Sequence, residues 1–178
     1  MDDYITTCSK VHMRPLSPRP ADIRIEDIAH ALSLLARANG HFPKFYSVGQ
    51  HCIHCCEEAH ERGYDRRVQL ACLLHDASEA YLADITRPVK QHLPQYRRIE
   101  RTLQDAVFQK YLGPLSEKEA KLWRLLDDTL LYYEFDHFMG EKLMDCPGEL
   151  KSHPVFDTEP FAVTEETYLQ WFQRLRER

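Results

Sequence analysis

Glycine is scarce, at 6 of 178 residues, and no long alternation of Val, Ile and Thr occurs. A β-protein is therefore not expected; abundant Leu, Ala, Glu, Arg and Gln favour helices instead. No apolar run approaches the ~18 residues of a membrane span. The opening stretch "MDDYITTCSK" has no apolar core of the kind a secretory signal carries. The expectation is an intracellular, reducing compartment, where disulfides are rare. A basic excess is also missing. The net charge is −5, which argues against a dedicated nucleic-acid binder yet leaves room for a small anionic substrate held by local Arg and Lys.

What is present reads as one all-α domain over residues 1–178, a bundle of six or seven helices. Residues 1–20 are irregular, with "YITTC" as a candidate short strand and Pro15, Pro18 and Pro20 blocking any long helix. Ile25, Ile28, Ala29, Leu32, Leu35 and Ala36 predict an amphipathic helix capped by Asp22 and ending near Asn39-Gly40. Ser47 and Gln50 form a capping box that opens a second helix, with Gly63 as its stop. Asp65 caps a third, apolar over a wide arc through Ala77. "LADITRPVKQHLP" reads as a loop, and a fourth helix covers 95–112. "SEKE" at 116–119 is another capping box, opening a long helix to about 138 whose buried face carries Leu122, Leu125, Leu126 and Leu130. Residues 139–178 form a C-terminal extension in which Thr164 starts a last helix.

"SVGQHCIHCCEEAH" at 47–60 crowds three His and three Cys into one helix. Structural zinc on these Cys would need a second C-x-x-C or a spaced His pair, and the sequence has no second C-x-x-C. Helical neighbourhood alone explains Cys52 and Cys55, and free buried Cys behave as small hydrophobes. The chemistry points elsewhere. His75, Asp76 and Glu79 lie among Leu73, Leu74 and Ala77. A carboxylate in such surroundings needs a partner, and a divalent cation suits a His-Asp pair. His51 and His54 can each supply a second imidazole. Asp127 or Asp128 can supply a second carboxylate, Asp127 being in phase with Leu130, Leu131 and Glu134.

"HDASEAYLADITRPVK" at 75–90 resembles the H-D-A-S-E…G-D-x-P-x-P-V-K block of bacterial HD-domain 5′-deoxynucleotidases, and "YSVGQHC" resembles the stretch carrying that family's first His ligand. "PADIRIEDIAHALSLLARANGH" and "DDTLLYYE" bring the chain closer to small phage and prophage HD proteins, some of which hydrolyse dATP. Ala83 stands where the family has Gly, and Arg87 where it has a small polar residue.

The resemblance implies a metal-dependent phosphohydrolase acting on a deoxynucleotide, either a dNTP or a dNMP, in the cytoplasm of a bacterium or a phage-infected host. A cyclic or signalling nucleotide, or metal and nucleotide binding without turnover, are the alternatives. His51, His75, Asp76 and Asp127 are the implied metal ligands. This mixed donor set accepts Mn²⁺, Co²⁺, Zn²⁺, Fe²⁺ or Ni²⁺, with Mg²⁺ as a companion of the substrate. Glu79, placed one helical turn after His75, is expected to orient or deprotonate the water. Asp84 corresponds to the family's second acidic residue and is expected to serve the leaving group or the sugar. Arg37 and Lys90 are the phosphate candidates, with Arg87 third and Asn39 and His41 at the base. The family also suggests a homo-oligomer, a dimer or higher.

Overall fold

The computed structural model describes residues 3–177. A two-stranded antiparallel hairpin comes first, β1 (Ile5–Thr6) paired with β2 (His12–Met13). The candidate strand thus has a partner. Eight α-helices follow: α1 (Ile25–Leu34), α2 (Val48–Glu61), α3 (Arg66–Leu74), α4 (Glu79–Leu82), α5 (Arg87–Lys90), α6 (Pro94–Tyr111), α7 (Glu117–Met139) and α8 (Phe161–Arg176). Two of them, α4 and α5, are single turns, so the expected loop at 82–94 contains a helical turn. The fold is all-α, and among the described residues no helix is long and apolar enough to cross a membrane.

Both capping boxes form. Ser47 accepts from the Gln50 N–H while Gln50 accepts from the Ser47 N–H, and Ser116 and Glu119 do the same for α7. Asp65 caps α3 through the Arg67 N–H. Gly63 and Gly140 take left-handed φ values of 68° and 64° where α2 and α7 end.

Four expectations fail at element ends and faces. Asp22 does not cap α1; it pairs with Arg19 at 2.7 Å, and the cap position is Arg24. The first helix stops at Leu34, well before Asn39. The chain at 35–37 is captured by 46–48 instead: the Val48 N–H donates to the Leu35 carbonyl and the Arg37 N–H to that of Tyr46, each at 2.9 Å. Leu125, expected on the buried face of α7, is 38% exposed. Thr164 lies inside α8 rather than at its start, and its hydroxyl donates to Glu159 at 2.7 Å.

α2 lies at the centre, packed against α1, α3, α7 and α8. Leu32, Val48, Leu73, Leu74, Leu103, Leu126, Leu130 and Tyr168 are completely buried around it. Gly49 permits this closeness: a Cβ there would stand 3.2 Å from the Leu32 backbone and 3.1 Å from Thr164. A central helix with polar residues must satisfy each of them. Gln50 donates to the Asp157 carbonyl, and Glu58 accepts from Arg62, Lys151 and Ser152. The 139–160 segment is thereby strapped across α2.

Candidate metal centre

Three elements deliver the expected ligands. His51 sits in the first turns of α2, its phase set by the Ser47–Gln50 box. α3 ends at Leu74, so His75 occupies its C-terminal cap and Asp76 the turn beyond. Asp127 comes from the middle of α7. His51 Nε2 lies 3.2 Å from His75 Nε2, 3.2 Å from Asp127 Oδ1 and 4.0 Å from Asp76 Oδ2. His75 Nε2 lies 3.3 Å from Asp76 Oδ2 and 3.8 Å from Asp127 Oδ1. Both imidazoles are buried, and the carboxylates are 19% and 18% exposed.

The hydrogen bonds fix the tautomers. His51 Nδ1 is 2.6 Å from Glu134 Oε1, and His75 Nδ1 is 2.6 Å from the Cys72 carbonyl. Neither partner can donate, so each Nδ1 carries a proton and each Nε2 points inward, the atom free to bind a cation. Each Nε2 then faces the carboxylates of Asp76 and Asp127. A proton on Nε2 offsets those carboxylates in the absence of a metal, and a shared cation can take its place. The donor set therefore fits a divalent ion.

The electrostatics point the same way. Burial alone would lower the pKa of His75, yet the charge of Asp76 and hydrogen bonding to both aspartates hold it well above the ordinary 6.5. Burial also opposes ionisation of Asp127, but hydrogen bonds from His51 and His75 hold its pKa well below the ordinary value. Glu134 is completely buried. Despite that burial, the Arg37 charge and then His51 lower its pKa to about 2. The cluster strongly favours added positive charge.

Arg37 enters from the 35–37 bridge. Its Nε donates to Glu134 Oε2 at 3.0 Å, and its other nitrogens stand 3.6 Å from Asp76 and 3.8 Å from Asp127. Arg87 is 59% exposed at the rim, bonded to Asp127 at 3.1 Å and to Asp128 at 2.8 Å. Lys90 lies 2.6 Å from Glu100 and 3.4 Å from Glu79 Oε1. Glu79 is buried, and its Oε2 has no hydrogen-bond partner. Burial, then the charges of Asp76 and Asp84, push its pKa well up. Glu79 does not share a helix with His75, as the sequence suggested. The chain turns at 75–78, and the Glu79 N–H donates to the Asp76 carbonyl. Asp84 is half-buried, within electrostatic reach of Arg37 and Asp76.

Several candidates stay outside. His54 faces away: its Nδ1 meets the Tyr46 hydroxyl at 2.8 Å, and its ring packs against Phe156. Burial lowers its pKa to about 4. Asn39 and His41 are exposed on the turn after α1. Glu134 and Tyr46 are the residues that sequence reasoning did not assign to the site, whereas Cys55, one turn from His51, stands out in the sequence as a neighbour of that ligand. Glu134 follows Asp127 by two helical turns, which is the signal that could have marked it.

Residues 45–141 match the HD domain family. The chain is 37% identical to the uncharacterized protein YfdR of Escherichia coli over 119 residues, 66% of this chain and 64% of that one. It is 48% identical to an uncharacterized protein of Rhodobacter capsulatus over 80 residues, 42% of this chain and 40% of that one. The aligned regions span less than two thirds of either relative.

Proposed function

The chain belongs to the HD domain family, and on that premise we propose that it is a metal-dependent phosphohydrolase of deoxynucleotides. The observation that carries the reading is the convergence of His51 Nε2, His75 Nε2 and the carboxylates of Asp76 and Asp127, each imidazole nitrogen lying 3.2–4.0 Å from the other and from both carboxylates. These four residues would hold the ion. When bound, it would supply Lewis acidity, polarising a phosphate oxygen and lowering the pKa of water.

The remaining work falls to the protein. Glu79 Oε2, buried and unpaired, accepts a proton from the attacking water. Burial and the charges of Asp76 and Asp84 raise the Glu79 pKa, which makes the carboxylate a stronger base. Lys90 keeps the other oxygen in place. Arg37 balances Asp76, Asp127 and Glu134 from within the floor, and a phosphate entering over Asp127 meets Arg87 at the rim. A guanidinium suits bidentate contact with phosphate oxygens. Asp84 serves the leaving oxygen or the sugar.

Incubation with each dNMP and each dNTP, in Mn²⁺ or Co²⁺, followed by chromatography of the products, tests the proposal. Orthophosphate released from a dNMP identifies a nucleotidase, and triphosphate released from a dNTP a triphosphohydrolase. Metal uptake without turnover of any of these substrates would reject the deoxynucleotide reading.

A further inference from the structure

One group in the wall of the centre has no part in the proposed hydrolysis. Cys55 lies one turn after His51 on α2 and is 1% exposed. Residues four apart on a helix share a face, so α2 brings an imidazole and a thiol to the same place. Cys55 Sγ is 3.6 Å from His51 Nε2. That sulfur and one ring nitrogen from each of His51 and His75 all lie within 4.8 Å of one another.

These separations are those of donors around one ion. Metal–sulfur distances of ~2.3 Å and metal–nitrogen distances of ~2.0–2.1 Å put neighbouring donors on one ion roughly 3–3.5 Å apart. The observed spacings are 3.6 Å and 3.2 Å. The other buried cysteines fit less well. Cys52 groups with His75 and Asp76 but not with His51, and Cys56 and Cys72 belong to neither cluster.

We propose that Cys55 is a further metal ligand, a thiolate donor that biases the centre toward a borderline, thiophilic ion such as Zn²⁺, Co²⁺ or Fe²⁺ and away from Mg²⁺. The inference rests on the metal-dependent reading above. On coordination the S–H bond gives way to an S–metal bond, and the proton leaves to water. The thiolate joins Asp76 and Asp127 as an anionic donor, with two neutral imidazoles completing the set.

Anaerobic titration of metal-free full-length protein with Co²⁺, followed by absorption spectroscopy, is the test. Bound Co²⁺ gives visible ligand-field bands, and a thiolate ligand adds an intense charge-transfer band in the near ultraviolet. The wild type and Cys52→Ser should show both features. Cys55→Ser and Cys55→Ala should keep the visible bands and lose the ultraviolet one. The wild-type spectrum decides whether any thiolate binds even where a variant folds poorly, and the variants assign it to Cys55 or Cys52. Visible bands without charge transfer in the wild type would overturn the thiolate while leaving the hydrolase reading intact. A charge-transfer band that survives in Cys55→Ala, or disappears in Cys52→Ser, would assign the sulfur elsewhere and overturn it too. Failure of the wild type to take up Co²⁺ at all would overturn both readings.

Discussion

His51 Nδ1 donates a 2.6 Å hydrogen bond to Glu134 Oε1, and both side chains are completely buried. Glu134 is itself held by the Tyr46 hydroxyl at 3.1 Å and by Arg37 Nε at 3.0 Å. The carboxylate fixes the ring's tautomer and orientation, and its charge makes the opposite nitrogen a better donor. Glu134→Gln should therefore weaken metal binding by roughly 10- to 100-fold. Competition against a chromophoric chelator measures this. Unchanged metal affinity in a folded variant would reduce Glu134 to a core-packing residue.

Asp76 and Glu79 lie three positions apart and should fail differently. Asp76→Ala removes a proposed donor, so metal content and turnover fall together. Glu79→Ala leaves the four proposed donors intact. It should retain metal by elemental analysis and lose roughly 100- to 10,000-fold in kcat, the range for a positioned general base. A Glu79→Ala enzyme of near-normal activity would remove Glu79 from the mechanism.

Ala83 carries the strain of this region, with φ 73° and ψ 157° at the end of α4. L-residues rarely occupy that region, and doing so costs about 1–3 kcal/mol. Glycine relieves the strain but forfeits about 0.5–1 kcal/mol through its freer unfolded chain. Ala83→Gly should accordingly stabilise the fold by about 1 kcal/mol, a Tm rise of roughly 2–4 °C for a chain of this size. A lower Tm would show that the surrounding contacts, including the Tyr96 hydroxyl on the Ala83 carbonyl, need the methyl group.

Where local chemistry decides, the sequence was readable. Ser47 with Gln50, Ser116 with Glu119, and Asp65 each satisfy helix N–H groups within a few residues, and all three caps form. Where distant segments decide, it was not. Leu35 and Ala36 keep the helical period, yet the strand-like pairing with 46–48 ends α1 early and carries Arg37 into the centre. Likewise 73–79 reads as continuous helix, and only the turn after Leu74 reveals His75 as a cap residue. Glu134 looked like one more position on the face of α7. Its phase with Asp127 put it on the right face, but its role depends on meeting His51, 83 positions away in sequence, and no local pattern names that partner. The Cys of α2 read as packing residues, and Cys52, Cys55 and Cys56 are indeed buried in the core.

Glu58 supplies a prediction in acid. Its side chain is fully buried, accepting from the Ser152 hydroxyl at 2.6 Å, the Ser152 and Lys151 N–H groups at 2.7 Å and 3.0 Å, and Arg62 at 2.6 Å. Burial alone would raise its pKa, but the Ser152, Arg62 and Lys151 hydrogen bonds outweigh it and hold the value below the ordinary 4.5. A carboxylate with a lowered folded-state pKa contributes its full stability above the unfolded value and loses it as pH falls through the folded one. Glu58→Gln keeps one acceptor oxygen but removes the charge, leaving buried donors poorly paired at a cost of about 1–3 kcal/mol at neutral pH. Urea unfolding of both proteins should therefore show a gap that is constant from pH 7 down to about 5 and closes progressively below 4.5, as the wild type protonates and comes to resemble the variant. Limited proteolysis should cut the 139–160 segment faster over that same acid range in the wild type, because the strap across α2 depends on the same charge. A gap that persists undiminished at the lowest pH where both proteins remain folded would mean that shape, rather than charge, holds the strap.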